Sequence, residues 1–162
     1  YGVSSANNGG GTTGTPEFTL SGSAMIGDFI YVASESSQFQ NFLGFAPTFT
    51  SSAANINGND AIELFESGVV IDVFGDVDID GSGEDWEYLD GWASRNNNTG
   101  PDGSTFVLGN WSFSGPNALD GESTNETAAT PIPIGTYTAV PEPSSTLGLF
   151  GILLTGLALR KR

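Results

Sequence analysis

Apolar residues fall in short runs along most of the chain and in one long run near its end, with Gly, Asn, Ser and Asp between them. Residues 18–20 follow the glycine-rich stretch 8–14 and predict a short strand. Residues 28–33 are rich in aromatic and β-branched side chains and predict a second. Phe39, Phe42 and Phe45 recur at three-residue spacing, which suits a short helix over 36–45. Residues 60–65 and 69–74 flank Glu66-Ser67-Gly68, a hairpin signal. Later strands are predicted at 92–95, 105–108 and 111–113, with a loop at 96–103 and an extended stretch at 131–137. Many short strands separated by turn residues predict an all-β sandwich, and no internal repeat is visible.

Composition narrows the chemistry. The chain has no Cys, so disulfides, thiolate catalysis and Cys-bound zinc are excluded. It has no His, so Ser-His-Asp and Cys-His catalysis are closed and the commonest transition-metal ligand is missing. Charge is lopsided. All 19 acidic residues lie in 1–142, where Arg95 is the one base, a balance of −18; three terminal cations bring the whole chain to −15. So acidic a body repels phosphate backbones, which argues against nucleic-acid binding, and it suits display in a saline medium or cation binding. Arg95 is expected to pair with one of the many acids, and a buried pairing would make it structurally important.

The end of the chain has its own pattern. Val140-Pro141-Glu142-Pro143 closes a polar, proline-stiffened spacer, an almost uncharged apolar run covers 147–159, and Arg160-Lys161-Arg162 ends the chain. As a helix the run would span about 20 Å. That is short for a hydrocarbon core of about 30 Å, nearer a signal segment than a durable anchor. A core helix should show a polar face, and this run has hardly any. The terminal cations would stay cytoplasmic and place everything before Pro141 outside. In its order of parts the tail resembles the PEP-CTERM sorting tail of Gram-negative bacteria. The resemblance implies export, transient anchoring in the membrane through the apolar helix, recognition by a membrane exosortase, cleavage near the Pro-Glu-Pro, and delivery to the cell surface or extracellular matrix. An exported chain needs a signal peptide, and none is seen before Tyr1, so the N-terminus is expected to be missing or processed.

The middle of the chain carries a second resemblance. Asn57-Gly58-Asn59-Asp60-Ala61-Ile62-Glu63-Leu64-Phe65 and Gly68-Val69-Val70-Ile71-Asp72-Val73-Phe74-Gly75, followed by Trp86, Arg95 and Asn110-Trp111, are similar to the lamin tail domain of secreted bacterial proteins. The likeness runs over about residues 17–113. It implies an immunoglobulin-like β-sandwich used for attachment or interaction, a frequent companion of extracellular hydrolases such as nucleases, and it brings no catalytic residues. The family's opening strands have no counterpart in this chain.

One stretch could carry chemistry. Residues 76–87 fit the twelve-residue calcium-loop pattern, with Asp76, Asp78 and Asp80 at positions 1, 3 and 5 and Gly81 at position 6. Ser82 would give its carbonyl, Glu84 a ligand through water and Glu87 a bidentate carboxylate. Position 8 is Gly83, where an apolar residue normally sits, and a strand rather than a helix precedes the loop. The competing expectation continues the strand from Val69. Ile71, Val73, Val77 and Ile79 would then face in, and Asp72, Asp76, Asp78 and Asp80 would form a solvated face. Same-face carboxylates only about 6.6 Å apart would repel, and a cation would relieve them. Glu84, Asp85, Glu87 and Asp90 beside Trp86, Tyr88 and Trp92 also admit a sugar site, catalytic or binding. The Asn-x-Ser/Thr triplets at Asn97, Asn110 and Asn125 carry little weight in a bacterial protein.

The layout expected is a sandwich over 1–130 with its N-terminal strands missing, a Pro-rich spacer over 131–146, and an apolar sorting helix with a basic end over 147–162. The function expected is non-enzymatic: a surface or matrix component for binding, adhesion or structure. The alternatives are an accessory module of a larger extracellular hydrolase and a calcium-dependent carbohydrate binder that retains extracellular polysaccharide.

Overall fold

The computed structural model describes residues 1–140. Among the described residues strands dominate, and helix is limited to one α-helix and single 3-10 turns. The central element is a four-stranded antiparallel sheet in the order β2-β1-β5-β6, built from β1 (Gly2–Ala6), β2 (Phe18–Thr19), β5 (Ala61–Glu66) and β6 (Val69–Phe74). Two ribbons flank it: β3 (Val32–Ala33) with β4 (Phe49–Thr50), parallel, and β7 (Ala93–Arg95) with β8 (Trp111–Phe113), antiparallel.

The predicted hairpin is the heart of the sheet. Ser67 and Gly68 both take positive φ between β5 and β6, as a tight reversal requires. Alternation then sorts the side chains. Ser4 and Glu63 are cross-strand partners on one face, with Phe65 and Val73 also buried. Val3 and Leu64 are partners on the other, which also carries Ile62 and Phe74. Phe74 is the hub of the core. Its ring meets Trp86, Tyr88, Phe106 and Trp111 at centroid distances of 4.8–5.8 Å, edge-on contacts that add to the burial of each ring.

The helix α1 (Ser36–Leu43) forms where the Phe spacing predicts it. The Glu35 carboxylate caps it by accepting from Gln38 N at 2.6 Å and Ser37 N at 2.9 Å, and Gly44 ends it in the left-handed region. These bonds, Gln38 first, hold the Glu35 carboxyl below its ordinary pKa.

Several expectations need correction. Residues 2–6, for which the sequence pattern predicted no element, are an inner strand pairing with both β2 and β5. Only Val32–Ala33 of the 28–33 run is a strand; Phe29 and Ile30 stand exposed. Residues 105–108 form no strand, because Phe106 turns in against Phe74 and Trp86 and the chain closes into a 3-10 turn at Leu108–Asn110. Most consequentially, β6 stops at Phe74. Gly75 has φ +78°, and a Cβ there would sit 2.9 Å from the Trp86 ring, so the chain turns away. The continued alternation through Ile79 therefore fails, and Ile79 is exposed.

The first half of the expected spacer is fastened to the body. Tyr137 donates its hydroxyl to Thr99 O at 2.8 Å, Thr138 N donates to Asn97 Oδ1 at 2.7 Å, and Trp92 Nε1 donates to Thr130 O at 2.9 Å. Of the sorting motif, only Val140 falls among the described residues, and it is exposed. Pro141, Glu142, Pro143, the apolar run and Arg160, Lys161 and Arg162 lie outside them. Among the described residues no helix is long and apolar enough to cross a membrane.

Candidate functional site

Residues 76–87 leave the sheet as a chain of turns around a buried amide. Asn59, almost fully buried, reaches Asp80 Oδ1 at 2.8 Å, Ser82 Oγ at 2.9 Å and Asn8 Oδ1 at 3.2 Å through its Nδ2. Its neighbour Asp60, also buried, accepts from Asn8 N at 2.9 Å and Asn57 N at 3.1 Å. The glycine-rich segment is thus pinned across the loop, and Gly11 N donates to Val77 O at 2.8 Å. The packing is tight at Gly81, where a Cβ would lie 2.5 Å from the Trp86 ring.

Each candidate ligand has a place. Asp76 Oδ1 accepts from Asp78 N at 3.0 Å, an Asx turn within the loop. Asp80 Oδ1 accepts from Ser82 N at 3.0 Å and Ser82 Oγ at 2.8 Å, besides Asn59. Those bonds, the Ser82 backbone bond largest, hold the Asp80 carboxyl below its ordinary pKa. Glu87 folds back so that its Oε2 accepts from Gly83 N at 2.9 Å. Glu84 enters turns through its backbone on both sides. The loop is therefore closed on itself. Among the described residues no three acidic side chains converge as a group that could hold a metal ion.

Two of the three aromatics considered for a sugar site, Trp86 and Tyr88, pack against Phe74. Trp86 is 5% exposed and belongs to the core, so it offers no face to a ligand. Tyr88 packs against Phe74, and its hydroxyl is pushed up to about 12, chiefly by burial and secondarily by the Asp60 charge.

Arg95 pairs with acids, as expected, and its side chain is largely shielded from solvent. Its Nη2 donates to Asp72, its Nη1 donates to Asp102 Oδ2 at 2.8 Å, and its guanidinium carbon lies 4.4 Å from the Trp111 ring centroid. Hydrogen bonds from Arg95 and then from Asn110 hold the Asp102 carboxyl below its usual range. This cluster ties β7 to β6 and to the 96–103 loop, where Gly103 N donates to Ile71 O at 3.0 Å. The charge imbalance is visible in the composition; which two of the acids Arg95 meets depends on the fold.

Residues 139–162 match the PEP-CTERM protein-sorting motif. That motif implies export and exosortase-dependent C-terminal sorting to the cell surface, the exosortase being a membrane enzyme that processes proteins carrying it. No curated protein and no solved structure matches the chain.

Proposed function

We propose that this chain is a surface or extracellular-matrix component whose body binds or displays rather than catalyses. The sorting motif at 139–162 carries the proposal. Support for a non-enzymatic body comes from its chemistry. It has neither His nor Cys, and three of its loop carboxylates, Asp76, Asp80 and Glu87, accept from nearby backbone N–H groups. The body is proposed to be a lamin-tail-like, immunoglobulin-like sandwich, a reading supported by a hairpin at 61–74 that coincides with the residues carrying that resemblance. After transient anchoring the tail would be cut near Pro141–Pro143. The test is expression in an exosortase-bearing host and in the same host lacking the enzyme. A shortened product in the surface or matrix fraction of the first host alone is expected, and Glu142→Ala should block shortening. Equal size and delivery in both hosts would end the proposal. If the chain proves to be cut from a larger protein with a catalytic domain, the accessory-module alternative replaces it.

A second reading places calcium in the 76–87 loop, favoured by the twelve-residue spacing and by Glu87 folding back onto Gly83. Asp76, Asp78, Asp80, Ser82, Glu84 and Glu87 would supply oxygens, which suits a hard cation wanting six to eight. Calorimetric titration of calcium into the full chain should show a micromolar-to-millimolar site that Asp80→Ala abolishes. No heat and no melting shift would leave a purely structural loop. EDTA-sensitive retention on polysaccharide would extend a positive result to carbohydrate binding.

A further inference from the structure

The connection from β2 to β3 turns its apolar side chains outward. Residues 25–28 close a tight turn: Asp28 N donates to Met25 O at 3.0 Å, and Asp28 Oδ2 accepts from Met25 N at 2.8 Å. Gly27, at φ +95°, supplies the left-handed position such a turn needs. Ile26 stands at the tip and is fully exposed; Met25 is 78% exposed, and Phe29 and Ile30 are exposed below them. The base of this prong is packed. Phe29 stacks on Tyr31 at 6.5 Å, and Tyr31 meets Phe39 of α1 and Phe45 at 6.1 and 4.8 Å. Tyr31 N donates to Thr48 Oγ1 at 3.1 Å, and Tyr31 O accepts from Phe49 N at 3.0 Å. Apolar side chains held outward by a closed turn on a packed base mark an interaction site.

Charge and position select the partner. Between Glu17 and Glu35 the single charge is Asp28, and its carboxylate is turned back onto Met25 N, so the tip is uncharged. Residues 1–142 carry −18, so a second copy of the body is repelled, whereas a neutral bilayer is not. The chain also leaves the body from the same region. Asn125 N donates to Phe42 O in α1 at 2.8 Å, Ile132 N donates to Asn125 Oδ1 at 2.7 Å, and a Cβ at Gly135 would lie 3.9 Å from the Tyr31 hydroxyl. The final described segment therefore passes α1 and the root of the prong on its way to Val140. From there the apolar run begins seven residues on, at most about 25 Å along an extended chain.

We propose that the 25–30 prong inserts into the interfacial layer of the membrane at which the tail is processed, giving the body a second, shallow hold beside its exit point. The prong rests on the proposed reading of the tail for bringing a bilayer within reach; the apolar turn that makes the contact is independent of it. A tether this short makes the contact intramolecular, so a few apolar side chains suffice where a free body would not stay bound. The hold keeps the spacer at the membrane face, and once the tail is cut it is too weak to retain the body.

With no native Cys, single labels report position. The full chain carries bimane at Ala24→Cys, beside the tip, or at Asp85→Cys on the acidic loop, both exposed sites. It is reconstituted with phosphatidylcholine vesicles that contain a nitroxide-labelled quencher lipid, and flotation is measured on the same samples. Flotation reads the tail, and quenching reads the prong. The Ala24 label should be quenched at least about threefold more than the Asp85 label, as a shallow interfacial insertion requires. Adding Met25→Ser and Ile26→Ser should bring it down to the Asp85 level with flotation unchanged. Chains that float with both labels quenched alike would overturn the prong and leave the reading of the tail standing. Chains that fail to float would overturn both. Concentration-dependent dimers that Met25→Ser/Ile26→Ser abolishes, without quenching at Ala24, would give the prong to a second copy and overturn the bilayer as its partner.

Discussion

Replacing Arg95 by Met removes the body's one cation while keeping most of its length. In the native protein the guanidinium is shared between Asp72 and Asp102 and lies over Trp111. Its side chain is 9% exposed, and those of Asp72 and Asp102 are 17% and 18% exposed. Stripping one partner from such a buried pair costs about 3–5 kcal/mol, because the remaining charges stay desolvated and here also repel each other. A domain of this size holds about 5–15 kcal/mol in all, so the variant should lose a large share of its stability. At about 3 °C per kcal/mol, Tm should fall by roughly 10–15 °C. Arg95→Lys should lie between, since an ammonium cannot reach both carboxylates as a fork. Thermal unfolding of the full chain by circular dichroism measures both. The pH profile adds a sign. The Asp102 carboxyl is depressed by Arg95 and Asn110. Its contribution is therefore present above the unfolded carboxylate pKa and lost as pH falls through the folded one. The native protein should lose stability on acidification from about pH 5, whereas Arg95→Met should lose less, having repulsion to relieve. A Tm drop below about 3 °C with an unchanged acid limb would refute the reasoning.

Three further outcomes follow from the packing. Gly81→Ala drives a Cβ to 2.5 Å from the buried Trp86 ring; it should cost about 1–3 kcal/mol and broaden the near-ultraviolet dichroism of the tryptophans. Tyr88, pushed up to about 12 by burial and then by Asp60, contributes stability that is whole below about pH 10 and lost as pH rises towards 12. Urea melts across that window should steepen with pH in the native chain and flatten in Tyr88→Phe. Glu63 is buried, with one carboxylate oxygen taking Thr12 Oγ1 at 2.7 Å and the other without a partner. Removing that charge in Glu63→Gln should leave Tm unchanged or raise it by about 3 °C, where a drop of that size would show the carboxylate to be needed.

Hairpin, helix and paired base were legible because each rests on local signals: alternation around Glu66-Ser67-Gly68, aromatic spacing around Gly44, and a single cation among many acids. The inner strand β1 was not, because its buried positions are Gly2, Ser4 and Ala6. Small residues make no apolar pattern, and only neighbouring strands tell that they are inside. The 28–31 stretch misled in the opposite sense, being apolar but exposed at Phe29 and Ile30. Past Phe74 the alternation ran on while the backbone turned at Gly75, under the steric demand of Trp86. For the acidic loop, spacing announced oxygens in the right order. Whether they converge depends on Asn59, which lies well before the motif and tethers Asp80 and Ser82 from below.

The fastening of residues 137 and 138 to the 96–103 loop has a mechanical meaning. Once the end of the chain is gripped by a membrane or a matrix, tension enters the body at that loop. Its first stop is the Tyr137 and Thr138 bonds, and its second the ionic knot of Arg95, Asp72 and Asp102. The pull then reaches β6, the outermost strand of the sheet, while β1 and β5 lie further along the line. Drag on a tethered molecule would therefore peel one edge and spare the interior pairing, so that a stretched protein could yield by a fixed increment and recover when the flow stops.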